Sequence, residues 1–230
     1  MGAPPVSARE TILGRVRASR ERPDPQAAAE AVANRLGRHD RHLLPARIDL
    51  DRAGLVALFA LKAAAVDVTL ETVAALDAVP DAVARYLRDR NLPAEAAVAP
   101  HPELDGLDWG AGTMSVARRA PEDADRVGIN RPVCAVAETG TLVFASGPAS
   151  PATMNFLPET HIAVLRRSEI VGGYEDAWDL LRAAGRGAGP GLPRTVNLVT
   201  GTSRTGDIEQ ILQRGVHGPK HVHVVVVEDD

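Results

Sequence analysis

The chain has 230 residues, 45% hydrophobic and 24% charged, which suits one large domain or two small domains with a sizeable core. Aromatic residues make up only 3% and the net charge is -4. These values argue against base-stacking surfaces and against broad basic surfaces for nucleic acid or anionic membranes. The single cysteine, Cys134, excludes an internal disulfide and a metal cage built only from cysteines of this chain. The sequence shows no signal-peptide core and no apolar run near the ~18 residues of a membrane helix, so we predict a soluble cytoplasmic protein.

The amino-terminal half begins with two predicted helices and then alternates between helix and strand. An amphipathic pattern over residues 7–22 predicts the first helix, and residues 26–36 predict the second. The further predicted elements are a helix over 55–65, a strand over 66–73, a helix over 80–90, a short apolar run over 96–99, a polar loop that includes Trp109, and a strand over 113–118. This alternation predicts an α/β fold with a mainly parallel sheet covered by helices.

The carboxyl-terminal half contains a tight pair of strands. Residues 133–137 and 141–145 are too close for a parallel crossover, which takes roughly a dozen residues, so we predict an antiparallel pair. The further predicted elements are a strand over 161–165, a helix over 174–184, a glycine-rich connector over 185–191, a strand over 196–200, a helix over 208–213 and a buried strand over 221–227.

Several common signatures of enzymes and metal sites are absent from the sequence. Pro190 interrupts the glycine run that would otherwise resemble a dinucleotide fingerprint, and Thr205 replaces the second glycine of a nucleophile elbow. The histidines between residues 161 and 223 lack nearby cysteines and the regular ligand spacing of a zinc site. We therefore predict no metal in this chain.

The first polar constellation covers residues 201–209, between a predicted strand and a predicted helix. Free backbone amides and the positive end of the helix would face this loop, and Arg204 is suited to a bidentate grip on a carboxylate or phosphate. We predict a small-anion site whose residues are Gly201, Ser203, Arg204, Thr205 and Asp207. In the structural alternative, Thr205 caps the helix while Asp207 and Glu209 compensate its dipole.

The second constellation, residues 138–141, lies at the turn between the paired strands. A carboxylate at this point would be partly withdrawn from water, so we predict Glu138 as a base or nucleophile. Thr139, Gly140 and Thr141 would contact the ligand, because a glycine permits close approach of a ligand or of another backbone. The alternative is an ordinary hairpin turn whose glutamate bonds neighbouring amides.

The third constellation, residues 215–219, precedes the final strand. Two glycines and a proline would form a rigid loop that holds His217 as a proton carrier or as a donor to an anionic ligand, with Gly218 beside it. The alternative is a solvated loop histidine.

Taken together and in this order, the three constellations resemble the LUD-domain family, specifically its lactate-utilization members of type C. The resemblance covers roughly residues 50–227, and it is carried by residues 137–142, by Leu157, Pro158 and His161, and by residues 201–209 and 215–219. Thr202 and Gly206 depart from the family pattern, which usually has proline and alanine there. The resemblance implies a Rossmann-like fold similar to those of phosphosugar isomerases, CoA-transferases and formyltetrahydrofolate cyclo-ligase. It also implies a helical arm over residues 1–45 and a LUD-like α/β domain over residues 46–230.

The resemblance further implies a role in oxidising L-lactate to pyruvate together with two iron–sulfur partner proteins. The clusters would lie on the partners, because one cysteine cannot hold them, and we expect no cofactor in this chain. Our leading hypothesis is a non-redox subunit that binds a small 2-hydroxy or 2-oxo acid or helps to assemble the partners. The alternatives are a free-standing acyl-transferring, CoA-transferring or isomerising enzyme that uses Glu138, and a purely structural interaction module that docks through its arm.

Overall fold

The computed structural model describes residues 7–19, 24–110, 114–188, 192–206 and 213–229. It divides into two compact units, Met1–Leu43 and Leu44–Asp230. The first unit contains helices α1 (Ala8–Ala18) and α2 (Pro25–Arg38). Helix α1 begins at a capping box in which Ser7 and Glu10 each bond the other's backbone amide. Both predicted amino-terminal helices are confirmed as helices.

The second unit is a mixed α/β structure. Its helices are α3 (Arg52–Ala64), α4 (Val79–Asp89), α5 (Pro102–Asp105) and α6 (Tyr174–Ala188). Its strands are β1 (Val68–Val73), β2 (Glu95–Val98), β3 (Ser115–Arg118), β4 (Val127–Asn130), β5 (Cys134–Val136), β6 (Thr141–Ala145), β7 (Thr160–Arg166), β8 (Ile170–Val171), β9 (Val196–Val199), β10 (Arg204–Thr205), β11 (Gln213–Arg214) and β12 (His221–Val227). None of the helices in the described ranges combines the length and the apolar character needed to span a bilayer.

The described strands form one large parallel sheet, one smaller mixed sheet and a two-stranded antiparallel pair, β10 and β11. The large sheet has the order β1-β12-β7-β4-β2-β3, and every neighbouring pair in it is parallel. The smaller sheet has the order β8-β5-β6-β9, in which β5 and β6 form the antiparallel pair and β9 adds antiparallel to β6. The predicted fold class, a mainly parallel sheet flanked by helices with an antiparallel insertion, is therefore confirmed.

The core lies on both faces of the large sheet, because successive side chains of a strand point to opposite faces. From β12, Val225 and Val227 pack with α4 in one apolar cluster. Val224 and Val226 pack in a second cluster with α3 and with the inner face of the smaller sheet. The smaller sheet is thus held against the large sheet, which fixes the loops at its ends.

Several parts of the fold differ from the sequence prediction. Helix α6 continues to Ala188, into the predicted glycine-rich connector over 185–191, and the short strands β8, β10 and β11 were not predicted. Strand β4 was not predicted, although all four of its residues are buried near the middle of the large sheet. Trp109 was predicted in a polar loop, but it is buried and its Nε1 donates a 2.9 Å hydrogen bond to the carbonyl of Leu104. Most of the helix predicted over 208–213 lies outside the described residues, and Gln213 itself begins β11.

Candidate functional site

The first two motif loops pack against the connection between α3 and β1. Gly140 has φ +71°, and a Cβ on it would lie 2.6 Å from the backbone nitrogen of Ala63. Gly201 has φ +84°, and a Cβ on it would lie 2.6 Å from the carbonyl oxygen of Val66. Both glycines are needed because backbone meets backbone there. We call this region, the α3–β1 connection with the loops that cover it, the motif corner.

A cluster of hydroxyl groups ties the 138–141 turn to its surroundings. The buried Thr141 Oγ1 lies 2.7 Å from Thr200 Oγ1, 2.7 Å from Thr139 Oγ1 and 3.0 Å from Tyr174 Oη. These bonds join β6 to the end of β9 and to the start of α6. The hydroxyl groups of Thr139 and Thr141 are thus bonded within this cluster. Gly140, between them, packs against the backbone of α3.

Ser203 joins the first motif loop, residues 201–209, to the third, residues 215–219. Its N–H donates to the carbonyl of Pro219 at 2.9 Å, and its own carbonyl accepts from the N–H of Gly215 at 2.9 Å. Its hydroxyl oxygen accepts from the N–H of His217 at 3.3 Å. Gly218 packs beside it, since a Cβ on Gly218 would lie 3.4 Å from Ser203 Cβ. The structure therefore brings residues 201–205 and 215–219 together around one serine.

The predicted anion-binding arginine has an acidic partner. Arg204 Nη2 lies 2.6 Å from Asp67 Oδ2, and Arg214 Nη2 lies 2.6 Å from the same oxygen. One carboxylate cannot neutralise two guanidinium groups, so these three side chains, counted among the described residues, sum to one positive charge beside Ser203. All three side chains are partly exposed, so a ligand can reach the cluster from solvent.

The corner lies at the amino edge of the large sheet. Asp67 precedes β1, and Pro219 precedes β12 by two residues. The 201–205 loop leaves the carboxyl end of β9, as expected from the sequence, and comes to rest beside the amino ends of β1 and β12. Thr205 lies in β10 and pairs with Gln213 of β11. Asp207 lies outside the described residues.

Glu138 occupies a separate position from the cationic cluster. Its N–H donates to the carbonyl of Gly172 at 3.1 Å, and its carboxylate is ion-paired with Arg47. The side chain is only 15% exposed. Across the described ranges, no hydrogen bond or ion pair joins Glu138 to Ser203, Arg204 or His217. The turn thus presents a fixed, partly buried carboxylate.

The histidines occupy different environments. His161 is fully buried, with Nε2 2.7 Å from Asn130 Oδ1, and burial lowers its pKa to about 4. His223 stacks on Tyr86 at a ring-centroid distance of 4.0 Å, and burial likewise lowers its pKa to about 4. His217 is exposed on the third motif loop.

A second polar site lies at the opposite edge of the large sheet, and the sequence analysis did not identify it. A cleft of about 440 Å³ is lined in part by His101, Glu103, Arg131 and Glu169. Arg131 directly follows β4. A sequence analysis that had predicted β4 would therefore have placed this charged residue at the carboxyl edge of the sheet.

The fold and the motif corner define an α/β protein whose polar motifs lie on loops around one helix–strand connection. The chain belongs to the LUD domain family, whose pattern matches residues 26–227. That range contains all three motif loops.

Several relatives carry the name lactate utilization protein C. The protein of this name from Geobacillus sp. is 35% identical over 132 residues, which is 56% of this chain and 53% of the relative. Lactate utilization protein C 1 from Bacillus mycoides is 35% identical over 121 residues, 53% of this chain and 51% of the relative. The Bacillus subtilis protein is 34% identical over 122 residues, 53% of this chain and 50% of the relative. The matches thus span about half the length of these relatives.

One solved structure has a similar fold. It is a DUF162 family protein from Deinococcus radiodurans, with a TM-score of 0.58 and 24% sequence identity. The similarity covers 77% of this chain and 99% of the other. This likeness supports the fold described above.

Proposed function

We propose that this chain takes part in lactate utilization as a non-redox component that binds a small 2-hydroxy or 2-oxo acid. Iron–sulfur partner proteins would carry the electrons as L-lactate is oxidised to pyruvate. The names of the relatives support the pathway. The observation that supports acid binding is the pair of guanidinium groups, Arg204 and Arg214, that share Asp67 Oδ2 at 2.6 Å each beside the motif loops.

The motif corner has the chemistry that a small carboxylate needs. Asp67 engages one terminal nitrogen of each arginine, which orients the guanidinium groups without cancelling their combined charge. The Ser203 hydroxyl accepts from the N–H of His217 and keeps its own proton for donation. An acid that bridges Arg204 and Ser203 would place its 2-hydroxyl or 2-oxo group toward His217.

The cysteine of the chain is unsuited to cluster ligation, which supports placing the redox groups on partners. Cys134 is buried in β5, and burial raises the pKa of its thiol to about 12. A single thiol supplies only one of the several thiolate ligands that an iron–sulfur cluster takes, so this chain alone cannot hold a cysteine-ligated cluster.

The experiment compares Arg204→Ala with Arg182→Ala. Arg182 is a matched control, because its side chain is 30% exposed against 35% for Arg204, and each makes an ion pair with one aspartate. We expect Arg204→Ala to lose lactate-dependent growth and L-lactate binding by calorimetry while its circular dichroism spectrum stays that of the wild type. Arg182→Ala should keep both activities. Wild-type lactate binding and growth in Arg204→Ala would refute the acid site.

The partner proposal is tested separately. The tagged chain would be purified anaerobically from lactate-grown cells, and co-purifying proteins would be identified by mass spectrometry. Stoichiometric iron–sulfur proteins, with lactate oxidation found only in the complex, are the expected result. A chain that arrives alone, with lactate oxidation intact in the fraction that lacks it, would contradict a role as subunit.

Glu138 gives a second candidate function. Its carboxylate is ion-paired with Arg47, and its side chain is only 15% exposed. A carboxylate in such a position can attack an activated acyl group or remove a proton, as an acyl-transferring, CoA-transferring or isomerising enzyme requires. This function predicts turnover or a covalent adduct at Glu138 in the isolated chain. Identical behaviour of Glu138→Gln and wild type would exclude it.

A further inference from the structure

The cleft at the carboxyl edge of the large sheet is formed by the residues that follow three neighbouring strands. His101 comes after β2, Arg131 directly after β4, and Glu169 after β7. The cleft holds about 440 Å³, a volume within the usual range for small-molecule pockets. Ligands of open α/β sheets bind at this edge.

Arg131 is the buried polar centre of the cleft. Its side chain is only 5% exposed, and its two terminal nitrogens are bound by Glu103 and by Glu169, the latter at 2.6 Å. Its Nε is buried without a hydrogen-bond partner in the described part of the chain, and so is the hydroxyl of Ser150, which also lines the cleft. A buried donor left unpaired costs roughly 1–3 kcal/mol, so both groups favour a ligand that accepts hydrogen bonds.

His101 adds a third donor. Its Nδ1 accepts a 3.3 Å hydrogen bond from the N–H of Glu103, which leaves the proton of the neutral ring on Nε2. Burial, together with the nearby charge of Arg131, lowers the pKa of His101, so the ring is neutral at pH 7. The Nε2–H can therefore donate without bringing a charge.

The charged side chains at the cleft are all engaged in ion pairs. Arg131 is paired with Glu103 and Glu169, and Glu103 is also paired at 3.3 Å with Arg166, a residue outside the lining that lies 4.0 Å from Asp229. A charged ligand would have to compete with these pairs while losing its hydration, whereas an uncharged ligand leaves them intact. The rest of the lining is mostly small or apolar; it includes Pro132, Val133, Ala145, Pro148 and Ala149.

We propose that this cleft binds an uncharged small molecule that presents a carbonyl or amide oxygen on a compact apolar body. Arg131 Nε, Ser150 Oγ and His101 Nε2 donate to the oxygen. The apolar wall packs against the body. This site is separate from the motif corner and from the acid proposed to bind there.

The test uses three probes with the same ring and different charge: benzamide, benzoate and benzylammonium. Each is titrated into the full ¹⁵N-labelled chain, and amide shifts are followed by NMR. We expect benzamide to shift the backbone amides of Arg131 and Val133 and those of the non-proline residues in 145–150, with at least about tenfold weaker binding of the two charged probes. Benzoate binding in the cleft as tightly as benzamide would overturn the proposal, as would the absence of cleft shifts with millimolar benzamide.

Two serine variants separate binding from folding. Ser150→Ala removes a hydroxyl that has no hydrogen-bond partner among the described residues, so we expect unchanged thermal stability and about fivefold weaker benzamide binding. Ser146→Ala removes an oxygen that accepts a 2.9 Å bond from the N–H of Thr195 outside the cleft lining. That control should lose stability and keep its benzamide affinity. Wild-type benzamide affinity in Ser150→Ala would overturn the assignment of this donor.

Discussion

Replacing Gly140 with alanine tests whether the 138–141 motif is held by backbone packing. A Cβ at this position would lie 2.6 Å from the nitrogen of Ala63, 2.7 Å from the carbonyl carbon of Lys62 and 3.0 Å from the Cα of Ala63. All three atoms belong to the backbone of α3, so no side-chain rotation relieves the overlap. The turn or the end of the helix has to move.

The expected cost has two parts. Alanine at φ +71° costs roughly 1–2 kcal/mol relative to glycine. Displacing a packed helix end adds about 1–3 kcal/mol, the usual cost of overpacking. We therefore expect Gly140→Ala to lower the free energy of unfolding by about 2–5 kcal/mol, a large part of the 5–15 kcal/mol typical of a folded domain.

The assay is urea unfolding followed by circular dichroism, with Gly147→Ala as the matched control. A Cβ on Gly147 meets nothing within 4 Å, so that variant should stay within about 0.5 kcal/mol of the wild type. Gly140→Asn separates the two costs, because asparagine tolerates positive φ better than alanine but carries the same Cβ. Recovery of full stability in Gly140→Asn would show that the overlap is unimportant. A Gly140→Ala variant as stable as Gly147→Ala would refute the reasoning as a whole.

Two further predictions concern buried titratable groups. Burial lowers the pKa of both His161 and His223 from 6.5 to about 4, so between these values the unfolded chain binds protons that the folded chain excludes. Stability should be complete above pH 6.5 and fall by roughly 3 kcal/mol per histidine as the pH drops toward 4. His223→Gln should remove one histidine's share in urea unfolding at pH 7 and pH 4.5, and an unchanged pH dependence would contradict this. Burial also raises the pKa of Cys134 to about 12, so Ellman's reagent should leave the native chain unlabelled at pH 8 and label one thiol per chain in urea. Rapid labelling without denaturant would contradict the buried position.

Most of the fold was predictable because its elements carry a regular apolar pattern. The pair β5 and β6 followed from the short spacing of two apolar runs, and the final strand from an uninterrupted run of valines. Strand β4 escaped because it has four residues, with Gly128 inside them, and is buried on both faces, so no alternation marks it. The glycine has a tertiary cause, since a Cβ on it would lie 2.6 Å from Pro158 Cγ.

The sites were less predictable because their partners are distant in sequence. Asp67 is 137 residues from Arg204, and Arg47 is 91 residues from Glu138. No local pattern signals such pairs. The sequence showed that the motif loops are polar and rich in glycine, but it could not separate residues that hold the corner together from residues that face a ligand. The structure shows the contacts of these residues: Gly140 and Gly201 meet backbone, whereas Ser203 bonds the N–H of His217 and Arg204 pairs with Asp67.

The two proposed binding sites lie at opposite edges of one parallel sheet, so they are separated in space. The motif corner adjoins the amino ends of β1 and β12, whereas the cleft follows the carboxyl ends of β2, β4 and β7. A seven-residue strand such as β12 spans about 20 Å, far more than the length of a three-carbon acid. One such molecule cannot contact both Arg204 and Arg131. The ion pairs differ as well: among the described residues, two arginines share one aspartate at the corner, whereas one arginine is held by two glutamates in the cleft. Loss of lactate binding in Arg204→Ala with intact benzamide binding would therefore identify two independent sites in one domain.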